Sequence, residues 1–277
     1  MRLKEVIINH GREISRIDVI NILTFGLSTT KERLLAELDW EIEEGTLSRI
    51  ESLIRQRQKG MPLSYITGEK EFYSTLFFVD EATLIPRPET ELLVDEAIDI
   101  IKKRPSPVMV LDMGTGSGAI GLTIAKMTGA KTLCIDISYK ALVCAKRNAH
   151  RLSLIHKTNV LCSDLFQAIK EGTMFDIITV NLPYVSDSEW GQLMPDVKGF
   201  EPKEALLGGI DGMGIYRRFM KGVERFMKED GHLLCEIGSK AQAEEMVKTL
   251  SRKGIRAYTK KDLSGRERLV VGNWTSL

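Results

Sequence analysis

The stretch VLDMGTGSGAIGL holds the residues best suited to ligand chemistry. Gly114, Gly116 and Gly118 fall between an apolar run and a helix-patterned run, where glycine permits a tight turn and close approach of a ligand to the backbone. Thr115 and Ser117 alternate with them and complete a candidate binding loop. Asp136 ends the next apolar run, 22 residues past Gly114, where a carboxylate can accept both hydroxyls of a ribose. Dinucleotide sites space their glycines GxGxxG to seat a pyrophosphate on a helix N-terminus. Here the spacing is GxGxG, preceded by Asp112. An acid beside the loop repels a pyrophosphate and suits the ammonium and sulfonium of S-adenosylmethionine, so that cofactor is the reading preferred over a purely structural glycine turn.

Asp164 and Leu165 follow a later apolar run, at the sheet edge where ligands of open α/β sheets lie. Such an acid reads the adenine amino group or caps a helix, and the sequence leaves both roles open. A further strand pattern runs into VNLPY, residues 180–184. Asn181, Leu182, Pro183 and Tyr184 resemble the (Asn/Asp)-Pro-Pro-(Tyr/Phe) motif of methyltransferases that act on planar nitrogens, with Asn181 also bordering the cofactor. An amide nitrogen is a poor nucleophile because its lone pair is delocalised into the carbonyl. Two acceptors aimed at the NH₂ hydrogens hold it toward a methyl donor and stabilise charge as the bond forms. The Asn181 side-chain oxygen and the Leu182 carbonyl are the candidate acceptors. Pro183 fixes the turn, and the Tyr184 ring is placed to stack on a flat acceptor.

These residues need a scaffold, and the pattern around them predicts one. Beyond Pro107 strand and helix patterns alternate, as a doubly wound Rossmann-like α/β sheet requires. PVMVLDMG, KTLCID, NVLCSD, FDIITVN and HLLCEIG are strands. Helices follow at Ile120 to Met127, after Ser138, from Ile215 to Lys228 and from Ala241 to Lys253, before a closing strand pair ending in RLVVG. The sheet is expected to be mostly parallel, with an antiparallel C-terminal strand.

Residues 1–60 read as a small helical bundle, with stripes at Leu3, Val6 and Ile7, at Val19, Ile22 and Leu23, and at Leu47, Ile50 and Ile54. Thr29 and Glu32 fit a capping box. Five acids from Glu37 to Glu44 mark a solvated face. Residues 61–84 read as a β-hairpin linker centred on EFYSTLFFVD. Residues 85–277 form the catalytic domain, entered through IPRPETE, where Pro86 and Pro88 disfavour helix in the residue before each.

The composition of the 277 residues, 43% hydrophobic and 28% charged, is that of a soluble globular protein. A net charge of +1 argues against a broad nucleic-acid grip. Residues 1–80 carry 11 Lys/Arg against 13 Asp/Glu, so the leading segment is no polybasic module. Charges interrupt the apolar residues of MRLKEVIINH, which predicts no signal peptide. The most apolar long stretch, Val108 to Ala130, contains Asp112 and Lys126 and makes a poor membrane span, so a cytoplasmic protein is expected. Four separated cysteines show no metal spacing, and Cys134, Cys162 and Cys235 sit in apolar runs as buried thiols do. No metal site is expected.

Taken along its full length, the chain resembles the release-factor glutamine methyltransferases, the HemK/PrmC family. PLSYITGEKEFY, IPRPETELLVDEA, LDMGTGSGAIGL, EPKEALLGGIDGMGIYRR, LLCEIG and KDLSGRERLVVG match its signature segments in order. The resemblance implies methyl transfer to the amide nitrogen (N5) of the glutamine in a Gly-Gly-Gln loop of peptide chain release factors. The charge balance predicts no direct nucleic-acid binding, and with nothing in the sequence to suggest an obligate assembly the expected state is a monomer. Leu182 stands where the family has Pro, but the carbonyl contact needs no particular side chain. Ser74 stands where the family usually has Gly. Other readings are a glutamine methyltransferase of a ribosomal protein, an adenine-N6 methyltransferase, and a cofactor-binding protein with reduced turnover. IPRPETE favours the release-factor branch over the first, and the acidic leading segment disfavours the second.

Overall fold

Apolar residues at helical spacing build the first of two compact units, residues 1–69 together with 194–200. The computed structural model describes residues 1–274. Helices α1 (Leu3–His10), α2 (Arg16–Gly26), α3 (Lys31–Ala36), α4 (Glu44–Gln58) and α5 (Leu63–Thr67) enclose Leu3, Val6, Ile22, Leu23, Ile50 and Ile54, all fully buried. Ser15 caps α2 by accepting from the Asp18 amide at 3.1 Å. The cap of α3 is Thr30, which accepts from Arg33 at 3.3 Å, one residue later than the Thr29–Glu32 pattern predicts. The Asp18–Arg57 ion pair, 2.8 Å long and mostly buried, ties α2 to α4. Glu37, Asp39, Glu41, Glu43 and Glu44 are all exposed, as a solvated stretch should be.

The second unit, residue 70 to 193 and from 201 onward, begins within a hairpin of β1 (Glu69–Phe72) and β2 (Thr75–Phe78). After a 3₁₀ turn at Pro88–Thr90 come α6 (Glu91–Lys102), β3 (Met109–Met113), α7 (Ala119–Thr128), β4 (Lys131–Asp136) and α8 (Tyr139–Arg151). Ser138 caps α8 as its position predicts, accepting from the Ala141 amide at 3.2 Å. Next are β5 (Thr158–Cys162), β6 (Phe175–Val180), β7 (Val185–Ser186), α9 (Asp187–Trp190), α10 (Pro195–Phe200, within the first unit) and β8 (Leu207–Gly209). The chain closes with α11 (Gly214–Met220), β9 (Met227–Glu236), α12 (Lys240–Arg252), β10 (Ile255–Lys261) and β11 (Glu267–Trp274).

The seven-stranded sheet has the order β10-β11-β9-β6-β3-β4-β5. It is parallel except for β11, which runs antiparallel to both neighbours. Alternation along each strand sorts side chains to opposite faces. Leu111, Met113, Ile178, Val180 and Leu233 pack with residues of α11 and α12. Val110, Ile177, Leu234 and Val271 pack with residues of α6 and α7. The doubly wound fold expected from the sequence is therefore present.

Two further local expectations fail. The helix predicted from Ile215 to Lys228 stops at Met220, because Gly222 leaves helical geometry at φ −130°; Val223–Phe226 is a 3₁₀ turn, and Met227 already belongs to β9. Cys162 is exposed rather than buried, since it ends an edge strand; Cys134 and Cys235 are buried as expected. Among the described residues, no helix is long and apolar enough to cross a membrane, and no cluster of metal-ligating side chains occurs.

The hairpin turn explains why glycine is the expected residue at position 74. Tyr73 and Ser74 have φ of 51° and 52°, the left-handed pair that a two-residue hairpin turn of type I′ demands. The Tyr73 hydroxyl reaches Asp95 at 2.7 Å and its amide reaches Glu91 at 2.8 Å, which hold it in that conformation. Ser74→Gly removes the left-handed strain at some entropic cost, and should stabilise the protein by roughly 0.5–1 kcal/mol. Urea denaturation checks this, and an unchanged or lowered midpoint would exclude strain at Ser74.

Candidate active site

In the sheet order, the chain winds outward from β3 through β4 to β5, and in the other direction from β6 to β9. The β3/β6 boundary is thus the topological switch point, where open α/β sheets form a crevice beyond their strand ends. A cavity of about 480 Å³ lies in this unit, within the range of small-molecule sites. Its wall includes Gly114, Thr115, Gly116 and Ser117 after β3, Asp136 at the end of β4, and Asp164 and Leu165 after β5. Asn181, Leu182 and Pro183 after β6 complete it. Ten of the twelve residues singled out in the sequence therefore share one cavity.

Gly118 and Tyr184 are the two that do not line it. Gly118 instead begins α7 with φ 83°, its amide bonded to the Thr115 carbonyl at 2.8 Å. Tyr184 faces away from the role of stacking platform. Its hydroxyl donates to the buried Glu236 carboxyl at 3.2 Å, its carbonyl accepts from Gln242 at 2.8 Å, and its ring lies beside Gly238.

The glycine loop is held from below. Asp112 is completely buried and accepts from Thr115 at 2.6 Å, the Gly121 amide at 3.0 Å and Thr179 at 2.9 Å. Burial pushes its carboxyl up, and those three hydrogen bonds pull it back. Its expected role beside a ligand's positive charge is not what the structure shows, because strand alternation turns it into the protein and away from the cavity wall. At Gly114, φ is 74° and an added Cβ would lie 2.9 Å from the Asn181 carbonyl oxygen. Only glycine lets the loop pass so close to the residue across the switch point.

Asp136 is placed for a pair of hydroxyls. One oxygen accepts from the Gly116 amide and the other from the Ser138 amide, each at 2.9 Å. A carboxylate has about four acceptor positions, so each oxygen can still take a further donor. Burial raises its pKa, while the amides of Ser138, Gly116 and Ile137 counter the shift. Ile137, the next residue, is 66% exposed and also lines the cavity. An apolar residue directly after a strand-ending acid was the available sequence signal for it. Asp164 pairs with Arg218 at 2.6 Å on the wall, and the turns that follow it contain no helix for it to cap. The cavity, its free carboxylate positions and its apolar Ile137 suit a nucleoside-bearing cofactor.

The acceptor turn is fixed by groups distant in sequence. Asn181 Nδ2 donates to Thr90 at 3.5 Å, leaving its side-chain oxygen as the acceptor. The Leu182 amide donates to the Tyr216 hydroxyl at 3.2 Å, a bond that proline could not make. At Gly212, φ is 75° and a Cβ would lie 2.1 Å from the Tyr184 carbonyl oxygen, so LLGGIDGMG wraps the turn closely. Arg87 lines the cavity and pairs with the buried Glu201, which also accepts from the Ile85 amide at 3.1 Å. Spacing along the chain signals neither Thr90, Tyr216 nor the Arg87–Glu201 pair.

Comparison with known proteins agrees with this geometry. Residues 2–68 match the PrmC N-terminal domain model, and residues 90–194 match the Methyltransferase small domain model. The chain is 38% identical to a release factor glutamine methyltransferase of Rhodopirellula baltica, over 94% of this chain and 90% of that one. It is also 38% identical to one of Clostridium acetobutylicum, over 90% of this chain and 88% of that one. A solved methyltransferase from Pyrococcus furiosus shares the fold, with a TM-score of 0.55 at 13% identity, over 83% of this chain and all of that one. The protein is an S-adenosylmethionine-dependent methyltransferase. By its sequence, its sheet and the cavity at its switch point, this chain belongs to the release factor glutamine methyltransferase family.

Proposed function

We propose that the protein methylates the side-chain amide nitrogen (N5) of the glutamine in the Gly-Gly-Gln loop of peptide chain release factors, as a cytoplasmic monomer. The observation that carries this reading is the place of Asn181 and Leu182 on the cavity wall, across the switch point from the glycine loop. Gly114, Thr115, Gly116, Ser117, Asp136, Asp164 and Leu165 would hold S-adenosylmethionine. When bound, it supplies an electrophilic methyl group on a sulfonium.

The chain's own contribution is orientation. The Asn181 side-chain oxygen and the Leu182 carbonyl accept the two amide hydrogens, so the nitrogen presents its face to the methyl donor. As the nitrogen acquires positive charge, the same two oxygens stabilise it more strongly than in the ground state. No side chain need remove a proton beforehand, because the nitrogen, once it carries the methyl group and a positive charge, is acidic enough to release one of its hydrogens to water. The release factor is the preferred substrate because the relatives that match across the chain carry that name. Mass spectrometry of the Gly-Gly-Gln peptide, after incubation of release factor with enzyme and cofactor, should show one added methyl on glutamine. Methylation of a ribosomal protein or of adenine instead would refute the reading.

The helical unit is the proposed docking element for the release factor. It has its own core, and α2 leaves Ile17 and Phe25 exposed at 63% and 45%. Replacing both with Glu should raise KM for the intact factor about tenfold, the scale of one lost interface contact. A KM that does not move would show that α2 takes no part.

Asp136→Ala should weaken S-adenosylmethionine binding by about 1.5–3 kcal/mol, the range for hydrogen bonds to a charged group. Calorimetry reads this directly, and unchanged affinity removes Asp136 from the site.

Asn181→Ala and Leu182→Ala separate side chain from backbone. The first removes an acceptor and should lower kcat by roughly 10²–10³-fold. The second keeps the carbonyl and the amide but empties part of the core beside Gly114, so it should cost about 2–5 kcal/mol of stability with a smaller loss of kcat. Steady-state kinetics alongside thermal denaturation tests the pair, and an active Asn181→Ala enzyme would refute the role of its side chain.

A further inference from the structure

Glu236, the acid of LLCEIG, lies behind the acceptor turn and takes no part in the contacts proposed for substrate or cofactor. It ends β9, which lies next to β6, the strand that leads into the turn. The residue is only 2% exposed. Its Oε1 accepts from the Tyr184 hydroxyl at 3.2 Å. Its backbone carbonyl accepts from the Tyr216 hydroxyl, and that hydroxyl accepts the Leu182 amide at 3.2 Å. Thr90, which holds Asn181, also faces the carboxyl, as does Arg268 of the LSGRERL segment. One residue thus reaches Asn181 through Thr90, Leu182 through Tyr216, and Tyr184 directly.

A purely structural side chain at this position would be better apolar. The Glu236 Oε2 is buried with no hydrogen-bond partner among the described residues, which costs stability that leucine would avoid. Burial pushes the Glu236 carboxyl up, with Thr90, Arg268 and Tyr184 pulling it back. Burial also pushes up the hydroxyls of Tyr184 and Tyr216, so both stay protonated and able to donate.

We propose that Glu236 is a positioning residue for methyl transfer, whose carboxyl aims the acceptor turn by holding Tyr184 and the Asn181 side chain by way of Thr90, while Tyr216 rests on its backbone carbonyl whatever the side chain. The inference rests on the function proposed above. The glycine loop and Asp136 are anchored separately, through Asp112, Gly116 and Ser138. Loss of the Glu236 acceptor therefore acts on the amide's alignment and leaves the cofactor's affinity alone. Misplacement of reacting groups by about 1 Å can cost on the order of 10²-fold in rate.

The test compares Glu236→Leu, Glu236→Gln and Tyr184→Phe in the full chain, reading kcat and KM with release factor and the cofactor Kd by calorimetry. Methylation of release factor by the unaltered enzyme tests the proposed function itself, and the variants are scored relative to it. Glu236→Leu should lower kcat by about 10²-fold, with KM and cofactor Kd within about twofold. Glu236→Gln keeps an acceptor oxygen for Tyr184 and should recover at least about tenfold of that loss. Tyr184→Phe removes the donor instead and should also lower kcat at constant cofactor Kd, which keeps the proposal testable if Glu236→Leu does not fold. Normal kcat in Glu236→Leu or Tyr184→Phe would overturn the proposal. So would a kcat loss matched by weaker cofactor binding, or a Gln variant no better than the Leu variant.

Discussion

The Asp112 carboxylate is the interaction on which the site depends. From its place in β3 it reaches the glycine loop through Thr115, the start of α7 through Gly121 and the neighbouring strand β6 through Thr179. A strand, the loop and helix that follow it, and a second strand 67 residues away meet at one group. The loop can then hold its left-handed glycines against the Asn181 backbone instead of relaxing into solvent. A buried carboxylate is tolerable only because these donors satisfy it. Remove them and the charge becomes a liability in the middle of the sheet.

Around that anchor the site is built in two independently supported halves. The cofactor half rests on β3 and β4, with Asp136 fastened by two backbone amides. The acceptor half rests on β6 and β9, and is buttressed by Tyr216, Gln242 and the glycine loop around Gly212. They meet along the β3–β6 pairing, where Asp112 accepts from Thr179 and Gly114 passes Asn181. This separation is what allows substitutions to act on turnover and on cofactor affinity one at a time.

Much of this was legible in the sequence, for physical reasons. Buried parallel strands are apolar runs, and the loops after them carry the ligand residues, so the β3, β4 and β6 ends were readable at Gly114, Asp136 and Asn181. The failures share a cause, which is that direction and exposure are tertiary properties. Asp112 adjoins the loop in sequence, but its strand position points it into the core. Tyr184 ends the acceptor motif, yet its hydroxyl finds Glu236, 52 residues away. Cys162 sits in an apolar run that happens to be an edge strand. The apolar pattern beyond Ile215 continues past Gly222, and only the backbone shows that the helix has already stopped.

The segment from Met194 to Phe200 belongs to the helical unit although it lies inside the sequence of the catalytic one. The chain therefore passes between the units three times, near residues 69, 193 and 200. In genetic terms the helical unit is not a cassette. A recombination event at residue 69 would transfer five of its helices and leave α10 behind, encoded by the recipient. Chimeras with relatives would join a foreign bundle to a native patch of seven residues unless both stretches were exchanged together. Divergence in the two stretches must then proceed in step, even though 124 residues separate them.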